Sequence, residues 1–167
     1  MNLKATIGME THVELDTKSK MFCSCEVVET DEPNISVCPT CLGLPGALPV
    51  PNKTAIEYIV MLSLGANCNI TNEGMFHRKN YFYPDLPKNY QISQFDFPVG
   101  VNGSLEIVLD EELHSVEIER VHMEEDTGKS VHIGSGRIDS ATSTLLDFNR
   151  SGIPLVEVVT KPVISTS

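Results

Sequence analysis

The sequence predicts an α+β fold: a mostly antiparallel β-sheet with few helices and one small cysteine-bearing insertion. Three observations predict it. Several segments alternate apolar and polar residues with period two, the mark of half-buried strands. Only one stretch carries helical periodicity. Four of the five cysteines fall within nineteen positions among turn residues. At 167 residues, 41% of them hydrophobic, the chain is expected to be one domain with its own core.

Residues 5–15 alternate with period two and read as a strand. Ile7, Met9, Thr11, Val13 and Leu15 take one face; Gly8, Glu10, His12 and Glu14 take the other. The insertion follows, about 22–50. It reads Cys23-Ser24-Cys25, twelve residues, then Cys38-Pro39-Thr40-Cys41-Leu42-Gly43. A C-x-C…C-x-x-C spacing suits tetrahedral thiolate ligation of Zn²⁺, and the second half has the shape of a zinc knuckle. The alternative is a pair of disulfides. Nothing else in the sequence suggests an oxidising compartment, which favours zinc. Four protein ligands leave no open coordination position, so such a site is structural and the chemistry lies elsewhere. Cys68, outside the cluster, is expected to be a buried small thiol.

Thr54-x-x-Glu57 reads as a capping box, and Ile56, Ile59, Val60 and Leu64 carry the helix to stop signals at Gly65 and Asn67. Beyond it, short strands are expected at 104–109, 114–124, 144–149 and 155–160. The expected turns are Asn102-Gly103, Asp110-Glu111-Glu112, Gly134-Ser135-Gly136 and Ser151-Gly152.

The net charge of −11 argues against a general grip on nucleic acid through phosphate neutralisation. It leaves room for a nucleotide site in which carboxylates hold Mg²⁺, and for nucleic acid held by other parts or subunits. No apolar run approaches the roughly 20 residues of a membrane span, and neither a secretory nor an Arg-rich leader is seen. The expected location is cytoplasmic, with no membrane partner.

Four clusters carry candidate chemistry. Glu10 and His12 share a strand face, their Cα atoms roughly 6.6 Å apart by strand rise, and suit a divalent metal or acid–base work. The run His122-Met123-Glu124-Glu125-Asp126-Thr127-Gly128-Lys129 brings three consecutive acids to a strand end, where Mg²⁺ with its waters and phosphates is a natural ligand. It is not a P-loop, because the upstream glycine is missing. Between Lys79 and Gln94, three of the four tyrosines (Tyr81, Tyr83 and Tyr90) are interleaved with Lys79, Lys88, Asp85 and Gln91. Rings that stack and cations that meet phosphate read as a nucleotide pocket; a tyrosine-rich surface loop is the plain alternative. Finally, Glu157 stands among β-branched apolar residues, costly unless paired or metal-bound, with Asn149 and Arg150 just upstream. His77, His114 and His132 have no readable partner. No Gly-x-Ser-x-Gly elbow or His-Glu-x-x-His pair supports a hydrolase.

In this order the clusters resemble the B-subunit family of the tRNA-dependent aspartyl/glutamyl amidotransferases, the kinase-like component of the GatCAB complex. The matching stretches are IGMETHVEL (7–15), Phe22–Cys25, CPTCLGLPGALP (38–49), RKNYFYPDLPKNYQISQFD (78–96), HMEEDTGK (122–129) and DFNRSGIPLVEV (147–158). The resemblance implies ATP- and Mg²⁺-dependent phosphorylation of the side-chain carboxyl of misacylated Glu-tRNA(Gln) or Asp-tRNA(Asn). Ammonia from a glutaminase partner then displaces the phosphate, and a small third component braces the pair. It implies that Glu10, His12, Glu124, Glu125 and Glu157 are catalytic, with Glu10, His12 and Glu125 on magnesium. Lys79, Tyr81, Tyr83, Asp85, Lys88, Gln91, Asn149 and Arg150 would line the ATP and aminoacyl pocket, and Cys23, Cys25, Cys38 and Cys41 would hold zinc. The family's chains are much longer. Residues 1–167 are therefore expected to be the N-terminal part of its catalytic domain, inactive alone, without the tRNA-holding tail. The competing reading is a catalytically silent, zinc-stapled fragment that only docks on partner subunits. A free nucleic-acid-binding zinc ribbon is disfavoured by the acidic charge.

Overall fold

A fourteen-residue strand, Glu112–Glu125, is the spine of the protein, seen in a computed structural model that describes residues 5–134 and 136–165. In chain order the elements are β1 (Glu10–Glu14), α1 (Lys53–Gly65), β2 (Asn69–Ile70), β3 (His77–Asn80), β4 (Tyr90–Ser93), β5 (Gly100–Leu109), β6 (Glu112–Glu125), β7 (Lys129–Ile133), a 3₁₀ turn (Ile138–Ser140), β8 (Ser143–Asp147) and β9 (Pro154–Thr160). The α+β class with a mostly antiparallel sheet is as the sequence predicts. Seven strands form one sheet in the order β1-β9-β6-β4-β3, with β5 sharing the β4 edge of β6 and β2 pairing β5. β7 and β8 form a separate two-stranded ribbon.

The decisive irregularity is a β-bulge in β6. Ile118 pairs with Thr160, but Arg120 pairs with Val159, so Glu119 is an extra residue. The bulge shifts the side-chain parity. Ile118 before it and Val121 and Met123 after it all enter the core, all at most 1% exposed. Arg120, His122 and Glu124 therefore take the opposite face. The core joins Ile118, Val121, Met123 and Val156 of the sheet to Ala55 and Ile59 of α1 and to Met21 and Phe22 of the cysteine-bearing lobe. Each of these side chains larger than alanine, fully buried, contributes about 1.5–3 kcal/mol.

Helix α1 turns Ala55, Ile59 and Ser63 to the sheet at a spacing of four. Its cap corrects the expectation from sequence. Asn52, not Thr54, is the N-cap: its Oδ1 accepts from Thr54 N at 3.0 Å and from Ala55 N at 3.3 Å. Asx side chains reach two and three residues ahead, so the helix starts a residue before the expected box. The stop is as expected, at Gly65, with Asn67 at φ 52° just beyond. No helix among the described residues is long and apolar enough to cross a membrane.

Other expectations shift. The strand at 5–15 is regular only over Glu10–Glu14, because β9 offers no ladder beyond Val159; Ile7 keeps a single bridge to Ile164. Asn102-Gly103 is not a turn. It lies inside β5, where Asn102 takes φ 52° and the strand continues. Gly103 is there because the backbone passes close to the end of α1: a Cβ would sit 2.5 Å from Ala66 O. The turn expected at Asp110-Glu111-Glu112 does form, as a two-residue type I′ hairpin of Asp110 and Glu111, both with positive φ, between β5 and β6. In the Gly134-Ser135-Gly136 turn, Ser135 lies outside the described residues, and Gly134 has φ 85°. The strands expected at 104–109, 114–124, 144–149 and 155–160 fall mostly within β5, β6, β8 and β9. Strands β2, β3, β4 and β7 are not foreseen by the sequence pattern. Cys68 is buried, as expected.

Gly103→Ala is expected to lower stability by about 1–3 kcal/mol through overpacking. Gly65→Ala, with open space around its Cβ position, should raise it by about 0.4–1 kcal/mol. Urea melts of both variants check the pair.

Candidate functional site

Three antiparallel strands carry the site. Glu157 of β9 pairs with His12 of β1 on one side and with His122 of β6 on the other. These three side chains therefore form one row across the face opposite α1. Glu124 lies one step along β6, beside Ser93 of β4. His12 Nε2 is 3.3 Å from Glu124 Oε2 and 3.7 Å from Glu157 Oε2. His122 Nε2 is 3.1 Å from Glu157 and 3.5 Å from Glu124. One ligand atom each from His12, Glu124 and Glu157 lies within 4.8 Å of the others.

Burial makes this arrangement costly. Glu124 is 3% exposed and Glu157 7%, so two carboxylates face each other away from water. Burial pushes the Glu124 carboxyl up. The adjacent His122 and the Lys79 cation at 3.8 Å outweigh it and hold the group down at about 2. Gln91 Nε2 donates to Glu124 Oε2 at 3.4 Å. Two carboxylate oxygens with an imidazole nitrogen fit the preferences of a divalent cation.

A cleft opens on each side of Lys79 and Glu124. The first, about 380 Å³, is lined by Glu10, His77, Ser93, Phe95, Asp96, Arg120 and Glu157 among others. The second, about 440 Å³, is lined by His12, Glu14, Gln91, Asp126 and Leu155. Tyr81 is half-buried nearby; burial raises its phenol, and Asp85 and Glu124 raise it further. Asp126 meets Arg150 Nε at 3.3 Å; burial pushes its carboxyl up, partly offset by Arg150. Arg150 also donates to the carbonyls of Thr127 and Gly128, and Gly128 N donates to Asp85 O at 2.8 Å. Asp85 and Arg150 thus brace the 126–128 turn beside the second cleft.

Some expected site residues lie elsewhere. Glu125 follows Glu124 in the strand, so it points to the core-side face. There it pairs with Lys88 and accepts from Ile92 N at 3.0 Å. Neither Glu125 nor Lys88 joins the His12 cluster. They line a small cavity of about 140 Å³ with Tyr90 and Cys41. Asn149 spends both ends of its amide on the insertion, accepting from Ser36 N and donating to Glu32 O. Tyr83 is 44% exposed. Glu10 borders the first cleft outside the close trio. His122 belongs to the acidic motif but has no role predicted from sequence; its two-residue spacing from Glu124 is the available signal. Arg120 and Ser93 give no signal without the bulge and the β4 pairing.

The four expected cysteines do come together, one sulfur each within 4.8 Å, with none in a disulfide. Cys38 and Cys41 Sγ are 3.8 Å apart, which matches a tetrahedral edge for metal–sulfur bonds of ~2.3 Å. Cys23 beside it holds the Cys41 thiol down at about 5, against burial and with help from Cys38 N and the Lys20 charge. Lys20, which no sequence motif marks, is fully buried. Its Nζ donates to Ser36 O at 2.7 Å and Phe148 O at 3.1 Å, and lies 3.9 Å from Cys41 Sγ.

A mostly antiparallel sheet with a cysteine lobe on one side and, on the other, two buried carboxylates under an exposed imidazole defines the class: a sheet protein with two candidate metal centres. The family model described as the GatB/GatE catalytic domain matches residues 5–167, and the chain belongs to that family. It is 59% identical over 160 residues to the aspartyl/glutamyl-tRNA(Asn/Gln) amidotransferase B subunit of Nocardia farcinica, covering 94% of this chain and 32% of that protein. The Mycobacterium avium protein of the same name is 57% identical over 161 residues, covering 95% and 32%. The chain thus spans about a third of the length of the curated relatives it matches.

Lys20→Met keeps the stem but removes the donor, leaving the Ser36 carbonyl unsatisfied while Phe148 O keeps its bond from Ser151 N at 3.1 Å. The expected loss is about 1–3 kcal/mol for the orphaned acceptor, read as a lower denaturation midpoint.

Proposed function

We propose that this chain is the N-terminal part of an amidotransferase catalytic domain, with a zinc-binding insertion at about 22–50. The reaction is ATP- and Mg²⁺-dependent phosphorylation of the side-chain carboxyl of misacylated Glu-tRNA(Gln) or Asp-tRNA(Asn), followed by amidation with ammonia. The partners are a glutaminase (A) subunit, a small (C) subunit and the misacylated tRNA, in the cytoplasm. The observation that carries this reading is the trio His12, Glu124 and Glu157, its two carboxylates buried beneath an exposed imidazole, with the Lys79 cation beside it.

The trio would hold Mg²⁺. Bound with ATP, the metal supplies charge neutralisation that lets a carboxylate, a poor acyl donor, accept a phosphoryl group. The chain's own residues orient and bind. Gln91 fixes Glu124, and His122 sits between the two carboxylates as a neighbour to both. Lys79, with its side chain 59% exposed, has room to leave Glu124 for an incoming anion. Cys23, Cys25, Cys38 and Cys41 would hold zinc in a closed, structural site, with Lys20 offsetting the thiolate charge.

In the complex with its glutaminase partner, Glu157→Gln and Glu124→Gln are expected to cut ATP-dependent amidation by at least roughly 100-fold, since even an outer-shell loss at a metal costs up to that much. Glutaminase turnover should stay intact; full amidation in both variants would remove the trio from the reaction. Cys38→Ser should lose stoichiometric zinc in a metal assay and raise amide exchange over residues 22–50.

A further inference from the structure

We infer that the cleft between Arg120 and the carboxylates of Glu10, Glu124 and Glu157 is the seat of the nucleotide's phosphate chain, with Arg120, Ser93 and His77 as its grip. This rests on the proposed ATP-dependent function and gives a role to residues that have none in the sequence motifs. The motifs put the nucleotide on the tyrosine–lysine segment; the geometry points to the neighbouring strand faces instead.

Unspent donors carry the argument. Arg120 Nε and His77 Nδ1 are buried polar atoms without a hydrogen-bond partner, Ser93 Oγ lies beside the Glu124 carboxyl without an aligned bond, and all three residues line this one cleft. Ser93 is 3% exposed. Guanidinium nitrogens only donate, and a hydroxyl can donate as well. Buried donors left unpaired are costly, so the site calls for a ligand rich in acceptor oxygens. His122, whose ring nitrogens also lack aligned hydrogen bonds, packs edge-on to Phe95 at the same cleft.

Charge narrows the class. The cleft's cations, Arg78, Lys79 and Arg120, share it with the carboxylates of Glu10, Asp96, Glu124 and Glu157. A bare polyanion would meet that carboxylate wall unfavourably. A phosphate chain carrying a divalent cation satisfies both walls at once: metal to carboxylates, oxygens to Arg120, Ser93 and Lys79. At the mouth, Phe95 is 57% exposed with the Arg120 guanidinium stacked 4.3 Å from its ring centre, a platform for a flat base. The second cleft has no such set. Among its lining residues Lys79 is the one lysine or arginine, and none has an orphaned donor.

The test is calorimetric titration of the chain with Mg²⁺·ATP and with Mg²⁺·tripolyphosphate, which has no base. Arg120→Gln is expected to weaken both by roughly 10-fold or more, the worth of a charge-assisted contact, and Arg120→Lys to restore part of the loss. Glu14→Gln, on the second cleft, should leave both within about twofold, as expected of an exposed, screened charge. Phe95→Ala should weaken Mg²⁺·ATP but not Mg²⁺·tripolyphosphate. Unchanged binding in a folded Arg120→Gln overturns the inference while leaving the proposed function standing. If that variant does not fold, Ser93→Ala decides: weaker binding of both probes supports the inference and unchanged binding overturns it. A wild-type chain that binds neither probe overturns the proposed function, and the inference falls with it.

Discussion

The site depends on one constraint: the registration of three antiparallel strands across β9. Because Glu157 stands opposite both His12 and His122, side chains 145 and 35 residues away in sequence meet in a single row. The bulge at Glu119 makes the row possible. With unbroken alternation, a strand that buries Ile118 would also bury Arg120, His122 and Glu124 in the apolar core. The extra residue lets one strand serve the core and a polar face in turn.

That polar face is electrostatically expensive, and its neighbours show how the expense is met. Two nearly buried carboxylates are set against His122, His12, Lys79 and Gln91, and no one of these is enough alone. Such a cluster gains stability from any cation that enters it, so the same geometry that costs folding energy favours metal binding. Arg120 Nε, buried and unpaired, borders the same cleft and would extend the pattern to the inferred anion. The incompletely satisfied groups are held by a sheet whose other face is conventionally packed.

The cysteine lobe is fastened to that sheet by polar contacts as well as by Met21 and Phe22 in the core. Lys20 reaches from inside the lobe to carbonyls of Ser36 and Phe148, while Asn149 ties Glu32 and Ser36 to the turn before β9. Lys88 and Glu125 sit on the same side, beneath the lobe. The adjacent acids Glu124 and Glu125 thus serve opposite faces, one toward the imidazole row and one toward the lobe. Residues so close in sequence are divided by nothing more than strand alternation.

The sequence by itself determined the fold class, the helix and its end, the cysteine set, and the strand face shared by Glu10, His12 and Glu14. All of these are local: they follow from period, spacing and turn chemistry within a few residues. It also supplied Glu124, in a run of three acids at a strand end, and Glu157, a carboxylate among β-branched residues, both anomalous without any knowledge of their neighbours. What only the tertiary structure decided is non-local. Whether Asn102-Gly103 turns or continues a strand depends on the close passage of Ala66. Whether Glu125 joins Glu124 depends on which face of β6 it takes, and Lys88 goes with it. Whether Arg120, Ser93 and His122 belong to the site depends on a one-residue bulge and on strands paired from distant parts of the chain. Period-two patterns state that a strand has two faces; only the pairing of strands determines what each face meets.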